Sequence, residues 1–276
     1  MIEINKDLVS RLIKGQFPQW SDLLIEPVAK DGNDNRTFHL GCDMSVRLPR
    51  LGPFLSLPIL VPLAKGNPAE GYPWPWSVNR WIQGDTVRQD NISSLNGLAI
   101  DLASFLKELH AIDTSYGPPA GAHNFYRGGS LTVYSEETRT ALKNLQSSIE
   151  TSRLHEIWDA ALQSPWAEKA VWVHGDIAPG NLLIQDGRLC GVIDFGMLGV
   201  GDPACDLTMA WTFFDAESRV VFLTAMECDE GTCNRARGWA LWKALITYDW
   251  SEKDSTAAAD AKRILDIILK EYEQAT

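Results

Sequence analysis

Apolar and polar positions alternate over short runs in the first half of the chain, which predicts a β-rich region after one opening helix. Asn5 carries a side chain suited to a helix N-cap, and Leu8, Leu12 and Ile13 share one helical face up to about Gly15. Clusters of Gly, Asn and Asp then separate candidate strands at residues 24–30, 36–40, 44–48, 59–64 and 76–82. Connections this short predict antiparallel pairing, because parallel strands need a crossover of about a dozen residues or more.

Apolar residues at helical spacing dominate the second half. They predict helices from Leu95 to Leu109, around residues 141–145, and at residues 203–214, 217–226, 232–247 and 255–272. Asp202 and Pro203 suit the N-cap and first residue of the helix at 203–214. Short β runs at residues 171–173, 181–184 and 189–193 lie between the helices. We therefore expect an α+β fold, with an antiparallel β lobe over residues 1–84 and a mainly helical lobe over residues 85–276.

Charge and composition limit the classes of partner. The formal net charge of −11 repels a phosphate backbone, which argues against nucleic acid. No apolar run approaches the roughly 18 residues needed to span a bilayer, so we expect no membrane partner. The first residues lack the basic start and apolar core of a signal peptide, which predicts a cytoplasmic protein. The sequence leaves open whether the chain is a monomer or a homodimer.

The five cysteines are scattered and form no Cys-x-x-Cys pair: Cys42, Cys190, Cys205, Cys228 and Cys233. Scattered thiols in a chain without an export signal favour a reducing compartment over a disulfide framework. Cys228 and Cys233 are close in sequence. No His or further Cys lies beside them, which argues against a zinc site.

Three polar positions follow each other at informative spacing. An apolar run leads into His174, Gly175 and Asp176; Asn181 lies five positions after Asp176, and Asp194 lies thirteen positions after Asn181. A hairpin between Asn181 and Asp194 would bring them side by side, with Asp176 in the loop before them. Each motif is short, and alone an Asp in a turn or an Asn before a strand is usually structural. Their joint occurrence favours a catalytic site.

The spacing suits phosphoryl transfer. Mg²⁺ takes hard oxygen ligands such as an Asp carboxylate and an Asn amide oxygen, and the acceptor hydroxyl needs a carboxylate to orient it and accept its proton. Kinases place a catalytic-loop Asp, an Asn five positions later, and then an Asp-Phe-Gly segment. This chain has all three in that order, with Asp194, Phe195 and Gly196 as the last.

The chain resembles the aminoglycoside phosphotransferase family, the small-molecule branch of the protein-kinase-like two-lobe fold, along nearly its whole length. The resemblance is carried by residues 174–183, 193–196 and 201–207, and by residues 34–38 in the first hairpin. It implies that Asp176 is the catalytic base and that Asn181 and Asp194 ligate Mg²⁺. It also implies that Asp206 supports the catalytic loop, although a charge favoured by a helix N-terminus is equally compatible. For His174 we favour hydrogen bonding that supports the loop over proton transfer.

The stretch after Asp194 distinguishes small acceptors from protein acceptors. Protein kinases place a long activation segment there, whereas only five residues separate Gly196 from Asp202. We therefore expect a small hydroxylated acceptor. Aminoglycosides are polycations, so carboxylates are candidate contacts: Asp215, Glu217 and Asp249, with Glu227, Asp229 and Glu230 also considered. The alternative for each is a solvated helix end.

The nucleotide-binding half follows the kinase pattern less closely. The turn at residues 30–36 holds one Gly, so Asn35, Arg36 and Thr37 either contact phosphate or belong to an ordinary hairpin. Arg47 stands where kinases carry a phosphate-pairing Lys, and its alternative is a solvent-facing strand residue. Near the lobe boundary, Arg80 and Trp81 either border a purine or belong to the core.

Kinase-like folds place a Glu-bearing helix after the strand that contains Arg47. Residues 49–58 are too short and too rich in Pro for it. Either the helix is absent from the protein or a stretch is missing from the sequence, and we favour the second. The leading hypothesis is a Mg²⁺-dependent phosphotransferase that uses ATP or GTP. The alternative is a pseudokinase-like binding protein.

Overall fold

A computed structural model describes residues 5–27, 35–42, 44–49, 59, 62–66, 76–79 and 82–275. The chain forms two compact units, Met1–Phe54 and Leu55–Thr276. The division into functional lobes at residue 84 stays a prediction.

The described residues of the first unit form an α-helix and an antiparallel sheet. Helix α1 (Lys6–Gln16) begins where Asn5 Oδ1 accepts a 3.0 Å hydrogen bond from the Leu8 N–H, which confirms the predicted cap. The sheet has the strand order β1 (Ile25–Pro27), β2 (Asn35–Leu40), β3 (Met44–Pro49), which confirms the antiparallel pairing expected there. One side of the sheet and helix buries an apolar cluster: Val9, Ile13, Ile25, Phe38 and Leu40.

In the described part of the second unit, the strands form three small antiparallel sheets. Strand β4 (Pro62–Gly66) pairs with β5 (Trp76–Asn79). The remaining strands are β6 (Asp85–Thr86), β7 (Val171–Val173), β8 (Leu182–Gln185), β9 (Arg188–Val192) and β10 (Gly199–Gly201). Strand β8 lies between β6 and β9, and β10 pairs with β7. Strands β6 and β10 were not predicted, because β6 has only two residues and two of the three residues of β10 are Gly, which is uncommon in strands.

The hairpin of β8 and β9 is the one that the sequence predicts. Its two-residue connection, Asp186 and Gly187, has φ values of 52° and 76°. Positive φ at both positions is the feature of the tight hairpin turns that Asp-Gly favours. The Ile193 N–H also donates to the Asn181 carbonyl at 2.9 Å, just beyond the paired ends of the strands. The open end of the hairpin therefore carries Asn181 and the chain that leads into Asp194.

The helices are α2 (Leu95–His110), α3 (Ser135–Leu145), α4 (Ser152–Leu162), α5 (Met209–Thr212), α6 (Ala216–Ala225), α7 (Glu230–Trp250) and α8 (Thr256–Ala275). The helix expected at residues 203–214 is instead a 3-10 turn, Pro203–Leu207, followed by α5. Helix α4 was missed, although Leu154, Ile157, Trp158 and Ala161 show helical spacing and are buried.

Helix α7 lies at the centre of the second unit. Most of its residues are buried, including Trp239 and Trp242, and it packs against α3, α4 and α8. Its buried cations are paired: Arg235 Nε lies 2.6 Å from Asp202, and Arg237 Nε lies 2.8 Å from Glu271 on α8. In the described part of the chain, no helix is long and apolar enough to cross a membrane.

His110, at the end of α2, makes the stability of the fold sensitive to acid. Burial lowers its pKa to about 4, and its Nε2 is buried without a hydrogen-bond partner among the described residues. The unfolded chain takes up this proton near an ordinary pKa of about 6.5, whereas the native protein does so only near 4. The stability that depends on neutral His110 is therefore present above the higher value and lost as the pH falls towards the lower one.

We predict that, between pH 7 and 4, the unfolding free energy of the wild type falls by about 3 kcal/mol more than that of His110→Gln. Urea unfolding at several pH values measures it. Parallel curves for the two proteins over this range would contradict the assignment.

Candidate functional site

Strand β7 leads into a loop that contains His174, Gly175 and Asp176. The side chain of Asp206 binds the backbone of this loop. The Asp206 carboxylate is fully buried; its Oδ2 accepts the His174 N–H and its Oδ1 accepts the Gly175 N–H, both at 2.7 Å. Burial raises the pKa of Asp206, while the hydrogen bonds from the Gly175 and His174 N–H groups act in the opposite direction. One carboxylate therefore fixes two successive peptide groups.

Asp206 occupies this position because of how its 3-10 turn begins. Asp202 Oδ1 accepts the Ala204 N–H at 3.0 Å and so caps the turn Pro203–Leu207, as predicted for Asp202 and Pro203. Arg235 Nε donates to Asp202 Oδ2 at 2.6 Å. Burial raises the pKa of Asp202, and the hydrogen bond from Arg235 opposes that shift. The support of the loop thus extends back to α7.

His174 is buried and uses both ring nitrogens inside the protein. Its Nδ1 accepts the Asp176 N–H at 3.2 Å, and its Nε2 lies 3.0 Å from the Ile193 carbonyl oxygen. A neutral ring with its proton on Nε2 satisfies both bonds, so we assign that tautomer. The ring also lies 4.6 Å from that of Phe195. His174 thereby joins the loop to the segment that precedes Asp194.

Gly175 is required by the close approach of two chain segments. Its φ is +81°, and a Cβ atom there would lie 2.5 Å from the Met197 carbonyl oxygen and 2.8 Å from the Met197 Cβ. Any side chain would push the loop away from the residues after Asp194. The Gly of the His-Gly-Asp motif therefore has a steric cause.

Asn181 is bonded directly to Asp176. Its Nδ2 donates to the Asp176 carbonyl at 2.8 Å and to Asp176 Oδ2 at 3.0 Å. Both partners are acceptors, which fixes the orientation of the amide and leaves Asn181 Oδ1 as an acceptor directed away from Asp176. Asp176 is exposed, and its Oδ1 accepts no hydrogen bond from the described residues. The pair thus offers a carboxylate oxygen and an amide oxygen.

Asp194 has a backbone conformation that non-Gly residues rarely adopt. Its φ and ψ are 64° and 66°, its side chain is exposed, and its Oδ1 accepts the Gly196 N–H at 3.3 Å. Left-handed residues at a strand end are unfavourable and cluster at functional sites. This left-handed conformation changes the direction of the chain at Asp194, just after β9 ends at the open end of the hairpin.

The oxygen donors present fit a Mg²⁺ ion. The Asp194 carboxylate and Asn181 Oδ1 are hard ligands, and Mg²⁺ is commonly bound by one or two protein groups together with waters and substrate phosphates. Within the described part of the chain, His, Cys, Asp and Glu side chains do not form any cluster of three or more that would hold a metal by themselves. The donor set is therefore suited to a metal that arrives with a phosphorylated ligand.

Two further residues of this region were not found from the sequence. Asn124 is fully buried, and its Nδ2 donates to the Arg127 carbonyl at 3.0 Å and the Met197 carbonyl at 3.3 Å. The Arg127 guanidinium lies over the rings of Trp239 and Trp242, at 5.0 and 4.9 Å. Neither stands in a recognisable motif, since each depends on contacts between distant segments.

The predicted nucleotide contacts lie largely outside the described residues. Arg80 and Trp81 lie outside the described residues. Residues 50–58, where the Glu-bearing helix was expected, lie outside them as well. The backbones of Thr37 and Arg47 are opposite each other in the β2–β3 pair. The side chains of Asn35, Arg36, Thr37 and Arg47 belong to the part that is not described.

The predicted acceptor carboxylates each have a partner within the protein. Asp215 caps α6 by accepting the Ser218 N–H at 2.9 Å and the Ser218 hydroxyl at 2.6 Å, and the hydroxyl bond is the main cause of its lowered pKa. Glu217 accepts from Asn96 Nδ2 at 2.6 Å. Asp249 accepts from Asn144 Nδ2 at 3.0 Å. Their contact with an acceptor stays a prediction.

Comparison with known proteins gives consistent matches. The sequence model described as the phosphotransferase enzyme family matches residues 43–245. An aminoglycoside 3'-phosphotransferase of Escherichia coli is 29% identical over 179 residues, which cover 61% of this chain and 62% of that protein. One of Salmonella typhimurium is 27% identical over 177 residues, with the same coverage. The chain thus spans less than two thirds of the length of these curated relatives.

A solved structure matches over nearly the full length. It is the GDP complex of a mutant aminoglycoside 2'-phosphotransferase of type IIIa, with a TM-score of 0.55, 18% identity, and coverage of 98% of this chain and 99% of that one. At this identity the likeness shows the fold. The predicted α+β, protein-kinase-like fold is confirmed.

We predict that Asp206→Asn destabilises the protein, because an amide replaces one of the two oxygens that accept loop N–H groups. A buried donor left without an acceptor costs about 1–3 kcal/mol. Chemical denaturation measures the loss, and Asp260→Asn on the exposed face of α8 is the control. Equal stability of the two variants would show that the Asp206 bonds are not needed to hold the loop.

Proposed function

The chain belongs to the phosphotransferase enzyme family, and we propose that it is a small-molecule kinase that transfers the γ-phosphoryl group of ATP or GTP to a hydroxyl. The family resemblance read from the sequence is confirmed by this match. The observation that carries the proposal is the arrangement of Asp176, Asn181 and Asp194 at the open end of one hairpin, with Asn181 bonded to Asp176.

In this proposal Asp176 is the base. Phosphoryl transfer needs a carboxylate that orients the acceptor hydroxyl and takes its proton. Asp176 Oδ2 accepts from Asn181, its backbone N–H donates to His174, and the Asp176 residue as a whole is exposed. The bonds of His174 within the protein suit a positioning residue, because neither ring nitrogen is left to exchange a proton with a substrate.

Asn181 and Asp194 would hold Mg²⁺ through Asn181 Oδ1 and the Asp194 carboxylate. When bound, the ion neutralises charge on the phosphate oxygens. The bond from Asn181 Nδ2 to Asp176 keeps the amide oxygen available for this purpose and keeps the base at a fixed distance from the metal ligand. Asn181 therefore serves two functions at once.

The nucleotide would be held by residues that the family resemblance assigns. Arg47 would pair with phosphate, Asn35, Arg36 and Thr37 would contribute polar contacts, and Arg80 and Trp81 would border the purine. The GDP bound to the similar solved structure supports a nucleoside phosphate ligand and gives a reason to test GTP beside ATP.

A small polycationic or polyhydroxylated acceptor suits this chain. The relatives named above are aminoglycoside phosphotransferases, which supports an aminoglycoside-like acceptor. Between Gly196 and Asp202 the chain forms β10, which pairs with β7, so this segment is too short and too ordered to dock a peptide. Asp215, Glu217 and Asp249 remain the proposed acceptor contacts.

The second candidate is a pseudokinase-like protein that binds a nucleotide without turnover. It is motivated by Arg47 in place of Lys and by the Pro-rich segment where a Glu-bearing helix is expected. Turnover that depends on Asp176 distinguishes the two.

We predict that the wild-type protein releases ADP or GDP in the presence of at least one member of a panel of aminoglycosides, macrolides and small amino alcohols. Asp176→Asn should lower kcat by about 10²–10⁴, the usual contribution of a positioned base, with binding of Mg²⁺-nucleotide preserved. Asp186→Asn in the hairpin turn is the matched control, since Asn tolerates its positive φ. Turnover that survives Asp176→Asn would refute the role of Asp176, and absence of any turnover would favour the pseudokinase.

We predict that Asp194→Asn abolishes the Mg²⁺-dependent part of nucleotide binding, because it removes the negative charge and keeps a side chain compatible with φ 64°. Calorimetric titration of nucleotide with and without Mg²⁺ measures that part. Affinity without Mg²⁺ should be unchanged. An unaltered Mg²⁺ effect in the variant would remove Asp194 from the metal site.

A further inference from the structure

The Sγ atoms of Cys228 and Cys233 lie 2.8 Å apart where α6 leads into α7. A disulfide bond is about 2.05 Å long, so the two sulfurs would need to approach by less than about 1 Å to form one. All five cysteines are free in this structure, and both members of this pair are partly exposed. The pair is accessible to a small reagent.

The backbone holds both cysteines in place. The Cys228 N–H donates to the Leu223 carbonyl at 3.0 Å after the end of α6. Glu227, with φ 55°, turns the chain, and the Cys233 N–H then donates to the Asp229 carbonyl at 2.9 Å in the first turn of α7. The proximity of the sulfurs is therefore built into the connection between the two helices.

Cys233 is the better nucleophile of the two. It lies in the first turn of a 21-residue helix, where the partial positive charge favours a thiolate. The contact between the two sulfurs lowers the pKa of Cys233, with help from Arg237, against the opposing effect of burial. The same contact, followed by burial, raises the pKa of Cys228. Cys233 thus suits initial attack and Cys228 suits the step that resolves it.

Two of the other thiols are less suited to reaction. Cys205 is buried, and burial raises its pKa. Cys190 donates to the Leu183 and Gln83 carbonyl oxygens at 3.3 and 3.4 Å, and burial also raises its pKa. Cys42 is exposed in the first unit, and among the described residues it has no second thiol beside it. It therefore serves as the internal reference thiol.

We propose that Cys228 and Cys233 form a redox-modification site, a dithiol that hydroperoxides oxidise reversibly to an intramolecular disulfide. The Cys233 thiolate attacks one oxygen of hydrogen peroxide, the O–O bond breaks, and the departing hydroxide takes a proton to become water. The sulfur of Cys228 then attacks the resulting sulfenic acid at Cys233, the S–O bond breaks, and hydroxide leaves with the thiol proton as a second water. Two thiols and one peroxide give one disulfide and two waters.

The disulfide would tie the end of α6 to the first turn of α7. Arg235 lies two residues beyond Cys233 and pairs with Asp202, which caps the turn that carries Asp206. Oxidation would therefore restrain the first turns of α7. These turns carry Arg235, whose contact with Asp202 supports the loop of residues 174–176. The chemistry at sulfur does not depend on the proposed phosphotransferase activity.

The test treats the native full-length chain with stoichiometric hydrogen peroxide and follows free thiols, intact mass and linked peptides. We expect the loss of two of the five thiols, a mass lower by two hydrogen atoms, a peptide pair joined through Cys228 and Cys233, and full recovery with dithiothreitol. Cys228→Ser should stop the reaction at a sulfenic acid on Cys233 that dimedone traps. Cys190→Ser, the control, should form the disulfide as the wild type does.

Cys233→Ser should lose thiols to hydrogen peroxide more slowly than the wild type. Circular dichroism checks that each variant is folded. Oxidation that begins at Cys42 or Cys190, or a wild-type rate in folded Cys233→Ser, would overturn the proposal. So would oxidation to sulfinic acid without any linked peptide.

Discussion

The two hydrogen bonds that the His174 and Gly175 N–H groups donate to the Asp206 carboxylate are the interaction on which the rest of the site depends. They fix the path of the chain at the end of β7. Once that path is fixed, the His174 ring can reach the Asp176 N–H and the Ile193 carbonyl, which joins the loop to the end of β9. Asp176 and Asp194 are then placed by the same ring from two sides.

Asp206 is itself placed by a sequence of polar contacts that begins on α7. Arg235 binds Asp202, Asp202 caps the turn Pro203–Leu207, and the turn directs Asp206 at the loop. The charges of the Arg235–Asp202 pair are buried, and removal of one partner of such a pair costs about 3–5 kcal/mol because the other is left uncompensated. The two carboxylates are thus compensated differently, Asp202 by a cation and Asp206 by peptide dipoles.

Much of the local structure of the candidate site could be predicted from the sequence, because Asn181 and Asp194 flank a hairpin. The spacing from Asn181 to Asp194, with apolar runs inside it, was enough to predict β8 and β9 and the meeting of their ends. What could not be predicted is the direction of the Asn181 amide, since it follows from two acceptors on Asp176 that exist only in the folded loop. The left-handed backbone of Asp194 is likewise a consequence of tertiary structure.

Contacts between distant or irregular segments account for most of the other features that the sequence did not reveal. Strand β10 is three residues long and is recognised only by its pairing with β7. The sequence argues against a zinc site at Cys228 and Cys233, but it does not reveal the contact of their sulfurs, which depends on the turn at Glu227. Helix α4 is a different case, because its buried face was present in the sequence as a regular pattern.

We propose that Asn181 presents its amide oxygen to a metal while its amide nitrogen donates to the base, Asp176. A crystal structure with Mn²⁺ in place of Mg²⁺ and a non-hydrolysable ATP or GTP analogue tests it most directly. We expect an anomalous-scattering peak within coordinating distance of both Asn181 Oδ1 and the Asp194 carboxylate, with the Asn181–Asp176 hydrogen bond intact. Manganese bound by Asp176 with Asn181 turned away, or bound elsewhere with the nucleotide, would contradict it.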